Sequence, residues 1–261
     1  MKIVLFDMDG TLTEPRKNIS KEMLKALEDL SNHTDIGIVT GSDFDYVDQQ
    51  CSELLRSKTL SSKLHIFPCN GTKRYTREEG EFVISYSADM IDAIGQADYN
   101  YLVQSLIPHQ LMISLNHELP YTGTFFHYRG SMLNWCPIGR QSGDFARKAW
   151  VKADTESGIR SYYMKQIQNI ISSREIQASV ALGGSTSFDI YPLGWNKTYV
   201  LKHLSDYSSI YFVGDRCEEG GNDWHIYNKL KDISDRDTGS FATSSMSDTM
   251  KIIQTLISKL S

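Results

Sequence analysis

Three short apolar runs, Ile3–Phe6, Ile36–Val39 and Ile210–Val213, each end at a polar residue or glycine. Runs this short with no polar alternation suit strands buried on both faces, as in a parallel sheet covered by helices. After the first run, residues 20–31 set Met23, Leu24, Leu27 and Leu30 on one face, and Ser20 stands at the N-cap position. Phe44, Val47, Cys51 and Leu54 repeat the helical spacing after the second run, and Met250, Ile253, Leu256 and Ile257 do so within 247–259. Strand–helix–strand–helix predicts an α/β domain with a parallel sheet. Because the pattern opens the chain and returns at its end, both ends belong to one sheet.

The middle of the chain reads differently. Alternation over 111–115, 124–128, 179–182 and 187–191 predicts strands with one wet face, and residues 87–105 and 156–172 predict amphipathic helices. The expectation is an α+β insertion over 82–189, with 1–81 and 190–261 forming the α/β domain.

Composition narrows the function classes. Nothing in the net charge of −5 over 261 residues suggests a basic surface for nucleic acid or anionic lipid. No apolar run approaches the roughly 18 residues that span a bilayer. Met1-Lys2 leads straight into the first strand, without a signal-peptide pattern. The four cysteines, Cys51, Cys69, Cys136 and Cys217, show no zinc spacing and read as reduced thiols. A cytoplasmic protein is expected.

Chemistry gathers at the strand ends, where ligands sit in open α/β sheets. Asp7 and Asp9 follow the first strand, Thr40 and Ser42 the second, and Asp215 the last, with Gly221-Asn222-Asp223 shortly behind. An isolated Asp-Met-Asp-Gly is an ordinary turn; four such signals in this order are not. Crowded carboxylates call for a cation, and oxygen ligands favour Mg²⁺. A carboxylate beside such an ion can attack a phosphoryl group, with a second one as general acid and base. Arg16, Arg129, Arg140 and Arg147 recur in and around the insertion, and the arginine fork matches phosphate.

Asp7-Met8-Asp9-Gly10-Thr11, the Thr40/Ser42 pair, Lys197 and Gly214-Asp215 with Gly221-Asn222-Asp223 together resemble the haloacid dehalogenase superfamily. Gly123-Thr124-Phe125, Tyr128 to Asn134, Cys136 to Arg140, Gly183-Gly184 with Ser187-Phe188-Asp189, and Pro192 to Lys197 resemble the eukaryotic-type phosphomannomutases. That resemblance covers nearly the whole chain. It implies a Rossmann-like core with an α/β cap that closes over the crevice, hinged near 80–83 and 188–194 at Gly80 and Gly194. It also implies Asp7 as nucleophile, Asp9 as acid and base, Thr40 or Ser42 binding the transferring phosphoryl group, and Lys197 offsetting its charge. Mg²⁺ would sit on Asp7, Asp215 and Asp223, with Asp9 contributing its backbone carbonyl.

By the same resemblance Arg16, Arg129, Arg140, Arg147, Ser187 and Asp189 bind the sugar phosphate. The implied reaction interconverts mannose 6-phosphate and mannose 1-phosphate, with glucose phosphates second, through a phosphoaspartate and a hexose 1,6-bisphosphate that also activates the enzyme. A homodimer through the cap is implied too. The alternative on this fold is a Mg²⁺-dependent sugar-phosphate phosphatase. A silent binding protein would have lost Asp7, Asp9 or Asp215, and all three are present. Departures from the family pattern fall at Cys69 and His127, where glutamate is usual, and at Trp224, where histidine is usual. Asp235 and Thr238 are the remnants of a second cation site.

Overall fold

The computed structural model describes residues 1–261, beginning with β1 (Lys2–Phe6). α1 (Lys21–Ser31), β2 (Asp35–Val39), α2 (Phe44–Arg56) and β3 (Leu64–Phe67) follow, then a hairpin of β4 (Lys73–Glu78) and β5 (Glu81–Ser87). The insertion holds α3 (Met90–Ile94), α4 (Gln96–Asn116), β6 (Phe126–Tyr128), β7 (Leu133–Trp135), α5 (Asp144–Ser157), α6 (Ile159–Ser173), β8 (Ala178–Gly183) and β9 (Ser187–Pro192). β10 (Ser209–Gly214), α7 (Trp224–Asp232), β11 (Asp237–Ala242) and α8 (Met246–Leu260) end the chain. The chain divides into two units, Met1–Ser87 with Trp195–Ser261, and Ala88–Gly194.

The larger unit is built on one sheet in the order β11-β10-β1-β2-β3-β4-β5. The first five strands in that order run parallel, and β4 and β5 add an antiparallel edge. β1 shows why its sequence is apolar throughout. Val4 and Phe6 pack with Met23, Leu27, Leu30 and Ile253 on one side, while Ile3 and Leu5 pack with Val200, Ile226 and Leu230 on the other. The Ser20 hydroxyl accepts from the Met23 amide at 3.1 Å, so α1 starts where its cap residue predicts.

The smaller unit carries an antiparallel sheet in the order β6-β7-β9-β8. Leu133, Trp135, Phe188 and Ile190 cluster with Leu106 and Ile113 of α4 and Tyr163 and Ile167 of α6. Side chains alternate across a strand, so the intervening residues occupy the opposite face. His127, Asn134, Asp189 and Ala181 stand in register across that face.

Some expectations fail. Residues 111–115 are helical, inside α4, and not a strand. Leu111, Ile113 and Leu115 alternate in sequence, but only Ile113 of the three is buried, in helical phase with Leu106 and Gln110. The helix expected at 156–172 is α6, but α5 ahead of it was not expected, and residues 87–105 hold two helices, the second running on to Asn116. The units exchange at Ser87/Ala88 and Gly194/Trp195, because β5 stays paired with β4 as far as Ser87 and β9 stays in the smaller sheet as far as Pro192. Gly80 (φ 93°) therefore turns the β4–β5 hairpin inside the larger unit and is not at the exchange, whereas Gly194 (φ 81°) is. No helix is long and apolar enough to cross a membrane.

Leu27 is fully buried between α1 and the sheet. Leu27→Ala should cost about 2–5 kcal/mol, read as a lower urea midpoint by circular dichroism, because the cavity refills only in part. An unchanged midpoint would remove Leu27 from the core.

Candidate active site

The turn after β1 places the first carboxylate. The Asp7 amide donates to the Val213 carbonyl at 2.9 Å, prolonging the pairing of β1 with β10, and the chain then folds back as Leu12 N and Thr13 N both donate to Met8 O. Gly10 has φ 86°, and a β-carbon there would lie 2.3 Å from Asp215 Oδ2. Only glycine lets this turn come so close to the end of β10. Asp223 is fixed from the far side of the same loop: its amide donates to Arg216 O and its Oδ2 accepts from Arg216 N, each at 3.1 Å.

Asp7, Asp215 and Asp223 thereby present carboxylate oxygens within 4.8 Å of one another. Lys197, wholly buried, donates to both Asp7 Oδ1 and Asp223 Oδ1. Burial opposes its charge, but Asp223 and Asp7 outweigh burial and hold its pKa above the ordinary lysine value. Asp7 is pushed well above the usual carboxylate range, by burial first; Lys197 opposes this and the charges of Asp223 and Asp215 add to it. Asp215 is raised as well, by burial and then by Asp223. One of its oxygens, Oδ1, is buried without a hydrogen-bond partner. Three carboxylates against one ammonium leave negative charge over, and an orphaned carboxylate oxygen marks where it is least compensated. An all-oxygen donor set of this kind fits a hard divalent cation such as Mg²⁺.

The Asp9 side chain lies outside that trio. Its Oδ1 accepts from the Tyr46 hydroxyl at 3.1 Å and from the Arg16 amide at 3.4 Å. Burial raises its pKa and the Tyr46 bond partly offsets the rise. Thr40 is buried after β2, and its hydroxyl accepts from the Ser42 amide at 3.1 Å. Tyr46 and the Cys69–Gly71 turn were not among the residues expected here. Tyr46 belongs to no motif, and only its distance from Asp9 singles it out.

In the smaller unit the wet face of the sheet gathers a second set. Arg129 is buried and lies 3.8 Å from Asp189, whose Oδ1 also accepts from Asn134 Nδ2 at 2.7 Å. Ser187 Oγ donates to Gly183 O at 2.8 Å, and a β-carbon on Gly183 would come within 2.7 Å of Ser187 Oγ and 2.8 Å of Asp189 Oδ2. Arg147 donates to Ser142 O at 2.9 Å, Arg140 O at 3.1 Å and Thr186 Oγ1 at 2.7 Å. It ties the loop bearing Arg140 to the residue beside Ser187. Arg16 belongs to the larger unit. The pair expected as a second cation site does not gather ligands. Asp235 is exposed and pairs with Arg236 at 3.3 Å, and the Thr238 hydroxyl donates to Leu230 O at 2.7 Å. Trp224 simply opens α7.

The family model of eukaryotic phosphomannomutase matches residues 23–259. The chain belongs to the eukaryotic phosphomannomutase family. A phosphomannomutase of Dendrobium officinale is 34% identical over 248 residues, covering 93% of this chain and 89% of that protein. Phosphomannomutase 1 of Dictyostelium discoideum is 33% identical over 260 residues, covering 98% and 97%. Among solved structures, an N-terminally truncated IMP-nucleotidase of Plasmodium falciparum shares the fold, with a TM-score of 0.66 at 14% identity over 100% of this chain and 71% of that one. The α/β sheet with its inserted antiparallel unit is thus the haloacid dehalogenase-type architecture, and the relatives at the level of sequence bear the name of an isomerase.

In this phosphomannomutase-family chain Lys197 is the only ammonium bonded to Asp7 and Asp223. Lys197→Met leaves both carboxylates buried and unpaired, and should destabilise the protein by about 3–5 kcal/mol near neutral pH. The deficit should narrow towards about pH 5, because Asp7, whose folded-state pKa is raised by burial, takes up its proton sooner in the folded chain than in the unfolded one. Urea midpoints of both proteins across that range test this; a deficit that widens on acidification contradicts it.

Proposed function

We propose that this protein is a phosphomannomutase, interconverting mannose 6-phosphate and mannose 1-phosphate, with glucose phosphates as poorer substrates. The observation that carries the reading is the pairing of Asp7 with Lys197 inside a carboxylate cluster, alongside a separate set of phosphate-matching arginines in the second unit. A phosphatase needs one phosphate subsite. A mutase needs two, because its bisphosphate intermediate must offer either end to the same nucleophile.

In this mechanism an Asp7 oxygen bonds to phosphorus as the bond to the leaving sugar oxygen breaks, and Asp9 delivers the proton that oxygen needs. In the reverse sense Asp9 takes the proton from a free hydroxyl of a hexose monophosphate as that oxygen attacks the aspartyl phosphate. Hexose 1,6-bisphosphate results, and after it turns around Asp7 accepts the other phosphoryl group and the isomeric monophosphate leaves. Tyr46 holds one oxygen of Asp9 and so leaves the other for the proton. Thr40 and Ser42 bind the phosphoryl group in transfer, and Lys197 offsets its charge. Mg²⁺ on Asp7, Asp215, Asp223 and the Asp9 carbonyl would supply the remaining charge neutralisation. Arg16, Arg129, Arg140 and Arg147, with Ser187 and Asp189, hold the sugar and its distant phosphate.

A hexose 1,6-bisphosphate activator primes Asp7. The exposed Ile107, Leu111, Met112 and Leu115 along α4 support a homodimer through the smaller unit. Four free cysteines suit the reducing cytoplasm.

The deciding assay incubates the protein with Mg²⁺ and mannose 1-phosphate, with and without hexose 1,6-bisphosphate, and measures mannose 6-phosphate against free phosphate. Mannose 6-phosphate in excess, stimulated by the bisphosphate, is expected; free phosphate alone would make the protein a phosphatase. Asp7→Asn should lose phosphoenzyme formation while keeping its circular dichroism, since an amide has the carboxylate's shape and little of its nucleophilicity. Acid-stable label on that variant would exclude Asp7 as the nucleophile.

Arg140→Ala should separate the two subsites. A lost charge-assisted bond of about 1.5–3 kcal/mol lowers mutase flux about ten- to a hundredfold, and small phosphomonoesters, having no second phosphate, should be hydrolysed at nearly the original rate. Equal losses on both substrates would refute the two-subsite mechanism.

A further inference from the structure

The turn Cys69–Gly71 follows β3 and is buried throughout. Its three residues all adopt the left-handed conformation, with φ of 51°, 63° and 85°. Two consecutive non-glycine residues in that region are uncommon, and such strain persists only where the surroundings hold it in place. Here the surroundings are two arms of the active site.

On one side the backbone of the turn grips the loop after β2. Cys69 N donates to Ser42 O and Asn70 N to Thr40 O, each at 2.8 Å. On the other side the turn grips the segment that delivers Lys197. Asn70 Nδ2 donates to Trp195 O at 3.2 Å, two residues before the lysine. His203 Nε2 meets Gly71 O at 2.8 Å, and a β-carbon on Gly71 would lie 2.8 Å from Val200 N. Lys197 opens the helical turn Lys197–His203, so both of its flanks are tied to the same three residues. Asn70 alone reaches both arms, one through its amide and one through its side chain.

We infer that Asn70 is a positioning residue for phosphoryl transfer: it sets the distance between the Thr40–Ser42 loop and Lys197. The inference rests on the phosphotransfer reading above and adds a residue to it. Thr40 or Ser42 and Lys197 address the same phosphoryl group from different elements, and no strand pairing within the sheet fixes the Lys197 segment against the β2 loop. The asparagine bridge does. Asparagine suits the position twice over, since it tolerates left-handed φ better than most residues and carries a side-chain donor.

The two functions of the residue separate by mutation. Asn70→Gly keeps the left-handed backbone and the bond to Thr40 O and removes only the arm to Trp195. Asn70→Ala removes that arm and adds backbone strain. With Mg²⁺ present, Asn70→Gly should lower kcat about tenfold and Asn70→Ala about a hundredfold, with KM within about twofold of the unsubstituted protein, because small misplacements of catalytic groups act on the chemical step. The same factors should appear for mannose 1-phosphate isomerisation and for small-ester hydrolysis, since both use Thr40, Ser42 and Lys197. A purely structural role would lower the melting temperature and leave kcat per folded molecule unchanged.

Unchanged kcat in a folded Asn70→Gly protein, a loss confined to KM, or failure of both variants to fold would overturn the inference. No turnover of either substrate by the unsubstituted protein would instead defeat the phosphotransfer reading, and the inference with it.

Discussion

The buried Lys197 ammonium, bonded to Asp7 and Asp223, is the interaction on which the site is organised. An ammonium with no exposure to water survives only with compensating charge. The lysine and its two partners come from three distant stretches of chain: the turn at 197, the end of β1 and the segment before α7. A parallel sheet meets that requirement by aligning the carboxyl ends of β1 and β10 side by side. The cluster then exceeds neutrality, because Asp215 joins it with an unpartnered oxygen. Burial raises the pKa of Asp7 first and this excess adds to the rise; the same excess suits the cluster to a hard cation.

Much of this was legible in the sequence. The apolar runs of β1, β2 and β10 read as doubly buried strands, and they are. Ser20 marked the start of α1, and the order of polar residues at strand ends gave the architecture. What failed were signals of mixed period. α4 carries large apolar residues on its exposed side as well as its buried one, so the alternation of Leu111, Ile113 and Leu115 mimicked a strand inside a helix that also tolerates Pro108. α5 as a whole has no such signal, because only Ala146 and Trp150 of that helix are buried, too few to set a clear period.

The site was legible where a motif concentrates it and hidden where contacts are long-range. Tyr46 reaches Asp9 across 37 positions, and Asn70 reaches Trp195 across 125. Neither spacing has a periodic signature, since both depend on how the sheet brings loops together. Arg147 shows a different limit. Its sequence context marks it for phosphate, yet its guanidinium already bonds to Ser142 O, Arg140 O and Thr186 Oγ1. Any anion it meets finds it held in one orientation, which favours bidentate recognition over a freely rotating side chain.

The two sets of polar residues are also stabilised in opposite ways, and that bears on their division of labour. Around Asp7 the carboxylates outnumber their one ammonium, so the larger unit's site attracts cations and repels a bare anion. On the wet face of the smaller sheet Arg129 and Asp189 are balanced as an ion pair, with Asn134 bonding Asp189 from the neighbouring strand. A balanced pair on a sheet keeps its geometry without a ligand, and its strand register sets the spacing of whatever it contacts. The excess charge of the first set calls for a cation, whereas the Arg129–Asp189 pair of the second is already compensated. His127 enters that lattice directly opposite Asn134, in register with Asp189 one strand further on. A side chain at 127 therefore shares the sheet face on which Asn134 holds Asp189.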